Sequence, residues 1–172
     1  MDAPMVSQMI YPIMQMVDIA MLNLDAAVGG IDQRKIHMLA REHLPSVGYR
    51  SPLCIHTPIL MGLDGQKMSS SRGNYISVAD TEEEIARKMD RAFCPPKIQD
   101  NPVLQILQYH LFPRYPVVVI HRPSKFGGDQ EFQSYHELEQ AYALGEIHPL
   151  DLKKNTAGYL IDMLRDVREY LK

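Results

Sequence analysis

Three stretches carry residue types whose spacing could do chemistry. The first is Gly65-Gln66-Lys67-Met68-Ser69-Ser70-Ser71-Arg72-Gly73-Asn74, a lysine, three serines and an arginine between two glycines, straight after an apolar run. A solvated turn accounts for that composition. So does a mobile phosphate clamp, in which Lys67 brings a point charge and the serine hydroxyls and loop N–H groups donate to phosphate oxygens. It is not a P-loop, because GxxxxGK[ST] is absent. The second is Tyr11, Gln15, Asp18 and Leu22, at spacings of four, three and four, which puts them on one helix face. From Tyr11 to Asp18 is roughly 10 Å along a helix axis, the length of an amino acid with a large side chain. A solvent-facing helix side is the plainer reading of that face. The third is Val28-Gly29-Gly30-Ile31-Asp32-Gln33, where two glycines end a strand and allow close backbone approach by a ligand. Asp32 there suits either a ribose hydroxyl or the cap of the next helix.

The elements that must position these groups follow from periodicity. Residues 6–24 predict a helix, with Ile10, Met14, Val17 and Met21 as its apolar stripe and Pro12 near its start. Ala26-Ala27-Val28 predicts a short buried strand. Residues 32–44 predict a helix stopped by Pro45, and Leu53–Leu60 a second strand. Helix–strand–helix–strand is the order of half a parallel α/β sheet. Two strands are too few for a stable doubly wound domain, so either further strands lie N-terminal to this stretch or the chain packs differently from this order. After residue 75 the character changes. A helix is predicted from a cap at Asp80 or Thr81 to about Phe93, ending at Cys94-Pro95-Pro96. Helices are also predicted over 102–112, 135–144 and 149–171, with one strand at Val117–Ile120.

Composition bounds the class. The 172 residues, 45% apolar and 23% charged, suit a globular chain of one domain or two small ones. The net charge of −3 does not announce a nucleic-acid binder. Two local basic groups stand out, Arg114, Arg122 and Lys125, and Lys153, Lys154, Arg165 and Arg168; solvated helix faces are the plainer reading of each. No apolar run approaches the ~20 residues of a membrane span, and the N-terminus lacks the pattern of a signal peptide. Cys54 and Cys94 lack metal-ligand spacing and read as free thiols of a reducing compartment, with no metal site expected.

Lys67-Met68-Ser69-Ser70-Ser71 resembles the signature loop of class I aminoacyl-tRNA synthetases. Tyr11-Pro12-Ile13-Met14-Gln15-x-x-Asp18-Ile19, Val28-Gly29-Gly30-Ile31-Asp32-Gln33-Arg34-Lys35-Ile36-His37-Met38, Lys125-Phe126-Gly127-Gly128-Asp129 and His148-Pro149-Leu150-Asp151-Leu152-Lys153 narrow the likeness. Together they are similar to the tyrosyl-tRNA synthetases of the archaeal/eukaryotic type, over nearly the whole chain. The resemblance implies an α/β fold: residues 1–75 as the C-terminal part of a Rossmann-like catalytic domain, and 76–172 as a mainly helical anticodon-binding domain with a small β element. It implies that Asp18 binds the phenol hydroxyl of L-tyrosine, and that Tyr11, Gln15 and Gln33 hold its α-amino end. Gly29, Gly30 and Asp32 would meet the adenosine of ATP, and Lys67, Met68, Ser69, Ser70 and Ser71 its phosphates, with Mg²⁺ accompanying the nucleotide. Phe126 and His148 would sandwich the first anticodon base of tRNA(Tyr), and Asp151 would hydrogen-bond to its edge. A cytoplasmic enzyme, homodimeric at full length, is expected.

The family also carries a His-x-Gly-His signature and a further N-terminal portion. None of the seven histidines here has that context. The chain is therefore expected to be the C-terminal part of a synthetase, inactive alone. A stand-alone tRNA anticodon-binding module is the alternative. Another adenylyl-transferring enzyme of the same superfamily would leave Phe126, His148 and Asp151 without purpose.

Overall fold

A computed structural model describes residues 5–171, and these divide by packing into two compact units, one ending at Ile59 and the next beginning at Leu60. The sequence places a domain boundary at residue 75; the packing division falls earlier, so residues 60–75, with the Lys67 loop, pack with the second unit.

In the first unit α1 (Val6–Met21) leads to β1 (Ala26–Gly30), α2 (Arg34–His43) and β2 (Leu53–Thr57). Asn23, in the left-handed region at φ 49°, ends α1. β1 and β2 pair in parallel, Ala26 opposite Leu53 and Gly30 opposite Thr57, with α2 as the crossover. The expected parallel pair is thus present, β2 being shorter than 53–60. The burial of α1 differs from expectation. Ile19 is its buried side chain, clustered with Ala27, Ala40 and Leu44 and backed by Met16 and Ala20. The Ile10, Met14, Val17 and Met21 stripe is exposed, Met21 to 72%. The helix forms as the spacing predicts, but its buried side is the 16–19–20 side, which packs with Ala27, Ala40 and Leu44. Asp32 does not cap α2 either. The chain first makes a tight turn, Ile31–Gln33, entered through Gly30, and Gln33 stands at the cap without a side-chain bond.

The second unit holds the larger core. α3 (Glu82–Arg91) starts at Thr81, whose hydroxyl accepts from Glu84 N–H while Glu84 Oε2 accepts from Thr81 N–H. Of the two expected caps, Thr81 is used; Asp80 instead accepts from Ser77 N–H and pairs with Lys88. α4 (Pro102–Ile106) is capped by buried Asn101, and widens into a π-helical turn over Leu107–Leu111 rather than continuing evenly to residue 112. β3 (Val118–Ile120) pairs antiparallel with β4 (Gln130–Phe132), a strand too short to show period two in the sequence. α5 (Tyr135–Ala143) follows. The expected single helix over 149–171 is two, α6 (Pro149–Met163) and α7 (Arg165–Tyr170), interrupted at Leu164. The break is held by Arg168, buried, whose Nη2 donates to Ile161 O at 2.8 Å and to Glu82 Oε1 at 3.3 Å. Ile85, Met89, Leu104, Leu107, Ile120, Leu138 and Leu152 make the centre of this core. Among the described residues no helix is long and apolar enough to cross a membrane.

Candidate functional site

The second unit brings Phe126, His148 and Asp151 to one cavity of about 580 Å³, though 25 residues separate the first from the last. Arg122, Lys125 and Lys154 also line it. Phe126 is 60% exposed, with Lys125 Nζ 4.9 Å from its ring centroid. His148 is the N-cap of α6: its Nδ1 accepts from Leu150 N–H at 3.2 Å, which fixes the ring plane and leaves Nε2 for another partner. Asp151 lies in the first turn of α6, where the helix dipole favours its charge. The loop carrying Phe126 is tied from behind. Arg122 donates through Nε to Gly128 O at 3.0 Å and through Nη1 to Glu146 O. Asp129 accepts from His121 Nδ1 at 2.7 Å and Arg122 N–H at 3.0 Å. Those two bonds, His121 first, hold the Asp129 carboxyl below its ordinary range. Asn155 clips α6 to the residue that follows β3, donating to His121 O and accepting from His121 N–H. Sequence reasoning missed Asn155 and the tying role of Arg122; side-chain to backbone bonds across elements leave no periodic signal. Of the expected basic groups, Arg122 and Lys125 line the cavity and Arg114 does not. Lys153, Arg165 and Arg168 are engaged by Asp90 O, Asp162 and Glu82.

The Lys67 loop is built around a residue the sequence did not single out. Asn74, 8% exposed, donates through Nδ2 to Asp64 Oδ1 at 2.7 Å and to Lys67 O at 3.2 Å, and its Oδ1 accepts from Ser69 N–H at 2.9 Å. Its carbonyl accepts from Leu63 N–H at 2.8 Å. A Cβ at Gly62 would stand 2.0 Å from Asn74 Nδ2, so this glycine is required by close approach. The Asn74 hydrogen bond, ahead of that from Gln66 N–H, holds Asp64 below the usual carboxylate range. Lys67, Met68 and Ser69 border a concavity of about 430 Å³ with Gln66 and Arg72. Ser70–Arg72 form a tight turn outside that border, apart from Arg72, and Ser71 Oγ lies 2.9 Å from Ser69 Oγ.

In the first unit, α1 carries Tyr11, Gln15 and Asp18, with Tyr11 and Asp18 exposed. Gln15 Oε1 and Gln33 Oε1 are buried with no hydrogen-bond partner among the described residues. A buried amide oxygen left unpaired costs roughly 1–3 kcal/mol, so these two acceptors are suited to a donor that a ligand brings. A Cβ on Gly30 would lie 2.5 Å from Asp32 Oδ1. Beneath Gly29, His37 is buried, its Nδ1 3.1 Å from His56 Nε2. Burial first, and the His56 charge second, keep the His37 pKa below its ordinary value. Unfolded, His37 takes its proton near pH 6.5; folded, it takes it only at lower pH. The unfolded state therefore binds more protons just below pH 6.5, and stability falls as pH drops through that window. Thermal unfolding followed by circular dichroism is expected at lower temperature at pH 5.5 than at 7.5, and His37→Gln is expected to flatten the difference.

Cys54 and Cys94 are both free thiols. Burial pushes the Cys94 thiol up despite hydrogen bonds with Tyr142 and Asn101. Among the described residues no three His, Cys, Asp or Glu side chains gather as metal ligands.

Comparison with known proteins bears on these sites together. The family model described as tRNA synthetases class I (W and Y) matches residues 3–165. A tyrosine–tRNA ligase of Methanoculleus marisnigri is 70% identical over 171 residues, 99% of this chain and 54% of that protein. The crystal structure of an Archaeoglobus fulgidus tyrosyl-tRNA synthetase with L-tyrosine superposes with a TM-score of 0.89 at 59% identity, covering 99% of this chain and 54% of that one. The Pyrococcus horikoshii synthetase with L-tyrosine gives the same TM-score at 34% identity. The chain thus spans about half the length of the curated relatives it matches. It belongs to the class I tRNA synthetases of the tryptophan and tyrosine group.

Proposed function

We propose that this chain is the part of a tyrosine–tRNA ligase that holds tRNA(Tyr) by its anticodon and closes on ATP through the Lys67 loop. The carrying observation is the convergence of Phe126, His148 and Asp151 on one cavity. An exposed ring and an imidazole offer faces to an unpaired base, and a carboxylate accepts from base N–H groups and disfavours bases that lack them. Residues 76–172 serve as the anticodon-binding domain, and the β1–β2 pair is the C-terminal part of a Rossmann-like sheet.

The enzyme's chemistry has two steps. The tyrosine carboxylate attacks the α-phosphate of ATP, forming the mixed anhydride and releasing pyrophosphate. The 3′-terminal adenosine hydroxyl of tRNA then takes the tyrosyl group and releases AMP. In this reading the buried Gln15 and Gln33 oxygens, with Tyr11, accept from the tyrosine ammonium. Asp18 accepts from the phenol hydroxyl; hydroxyl-based rejection of phenylalanine is the standard illustration of such selectivity in this very enzyme class. Gly29, Gly30 and Asp32 meet the adenosine. Lys67, Ser69, Ser70 and Ser71, with the Met68 backbone, stabilise charge on the phosphates, and Mg²⁺ arrives with the nucleotide, held largely by phosphate oxygens. We place the full enzyme in the cytoplasm as a homodimer.

No His-x-Gly-His occurs in the 172 residues, so tyrosine-dependent ATP–pyrophosphate exchange by this chain alone is expected to be absent. Robust exchange from the purified chain would overturn that part. The independent core of the second unit favours a second reading, a stand-alone tRNA-binding module. Adding the remaining half of a close relative in trans separates the two: restored exchange supports the ligase, and none supports the module.

A further inference from the structure

Most cations of the second unit are engaged. Lys88 bonds Asp80 and Tyr75 O, Lys153 bonds the Asp90 and Ala92 carbonyls, and Arg165 and Arg168 meet Asp162 and Glu82. Arg87 and Arg91 of α3, like Lys97 and Lys154, form no ion pair or side-chain hydrogen bond among the described residues. Glu83 stands four residues before Arg87, the spacing of a helical ion pair, and the pair is not made. Both arginines line a cavity of about 380 Å³ that Lys88 and, from the Lys67 loop, Arg72 also border. Its one lining carboxylate, Asp64, accepts from Asn74 Nδ2 and Gln66 N–H and lies 4.0 Å from Arg72 Nη1. Basic residues at a helix C-terminus complement its dipole, which accounts for Arg91. It does not account for Arg87 without its partner.

We propose that this cavity binds the phosphodiester backbone of the RNA whose unpaired base enters the Phe126 cavity. The inference rests on the tRNA reading above. Arg87 and Arg91 lie one turn apart, about 6 Å along the helix, so their guanidiniums can take successive phosphates of one strand. Lys153 of α6 donates to the Asp90 and Ala92 carbonyls on either side of Arg91. It thereby ties the end of α3 to the helix whose first turn holds His148 and Asp151. Ile85 and Met89 of α3 share one core with Leu152 of α6. Cation pair and base cavity are therefore fixed to one scaffold, as two contacts along a single RNA require. Phosphate contacts of this kind position the RNA without reading its sequence.

The test is binding of a tRNA(Tyr) transcript to the full chain across a salt series, for the wild type and Arg87→Gln/Arg91→Gln. Loss of two phosphate contacts is expected to flatten the slope of log affinity against log salt by about 1.4–1.8, at 0.7–0.9 per contact. Affinity falls by the same factor for a tRNA altered at its first anticodon base. Arg87→Lys/Arg91→Lys keeps the charge and is expected to keep the slope. Tight wild-type binding with an unchanged slope in the glutamine variant overturns this inference alone. Weakened binding of inorganic pyrophosphate with unchanged tRNA binding overturns it in favour of a nucleotide phosphate. A wild-type chain that binds no tRNA overturns the tRNA reading, and this inference with it.

Discussion

Phe126→Ala is expected to weaken tRNA(Tyr) binding by about 5- to 150-fold, with little change in folding stability. Stacking of one base on an aromatic ring is worth about 1–3 kcal/mol by alanine substitution, and each 1.4 kcal/mol is tenfold. The ring is 60% exposed, and its recorded partner is Lys125 Nζ above one face. Truncation therefore removes little buried surface, and a surface change of that kind shifts stability by about 0.5 kcal/mol or less. Binding and stability separate cleanly. Phe126→Tyr keeps a stacking face and should retain most of the affinity. Asp151→Asn converts an acceptor-only edge into one that also donates, so its signature is a changed base preference rather than a uniform loss. Fluorescence anisotropy at fixed salt, with tRNAs varied at the first anticodon base, measures both. Equal binding by wild type and Phe126→Ala would remove the 126–148–151 cavity as a base site.

The sequence made the local elements legible more readily than their surroundings. Thr81 with Glu84 announces the start of α3, because a capping box is contained within four residues. The paired strands β1 and β2 are legible as short apolar runs flanking a helical period. What covers each face is not legible. Ile10, Met14, Val17 and Met21 recur with helical spacing yet are exposed, while Ile19 is buried. Periodicity identifies a stripe but not the element that meets it. The break at Leu164 escaped for a related reason: a buried arginine from the next turn stabilises it, and Arg168 reads in sequence as surface charge.

The candidate site divides the same way. Phe126, His148 and Asp151 became candidates through family resemblance, since no spacing rule joins residues so far apart. The chemistry of Lys67 and its serines was visible in composition. Their support was not, because Asn74 works through bonds to Asp64, the Lys67 carbonyl and the Ser69 N–H. A buried asparagine is polar in sequence and structural in the fold, and the cue available was its place one residue after Gly73, closing the stretch that Gly65 opens.

That support gives the second large expected effect. Asn74→Ala leaves the Lys67 carbonyl and Ser69 N–H without their present partners, a loss of about 1–3 kcal/mol. Opening of the loop should then be about 5- to 150-fold more populated. Lys67 and Arg72 are tryptic sites within it, and cleavage follows the open population when reclosing is fast; the cleavage rate in the folded chain should rise by that factor. Asn74→Asp tests polarity. It sets a second carboxylate against Asp64, where the native amide lies 2.7 Å away, and two such groups at that distance do not both stay ionised. The reciprocal pair Asp64→Asn/Asn74→Asp restores one donor and one acceptor between the positions, and should recover part of the protection while Lys67 O remains without its donor. In the wild type the depressed Asp64 pKa means the clamp is at full strength above the ordinary carboxylate range and is lost only as pH falls through the lowered value. Asn74→Ala removes the first cause of that depression, so Asp64, followed by NMR, should titrate closer to the ordinary carboxylate range. Cleavage of Asn74→Ala at the wild-type rate would mean the loop is held by its own turns, Gly62–Gln66 and Ser70–Gly73, and not by the amide at its centre.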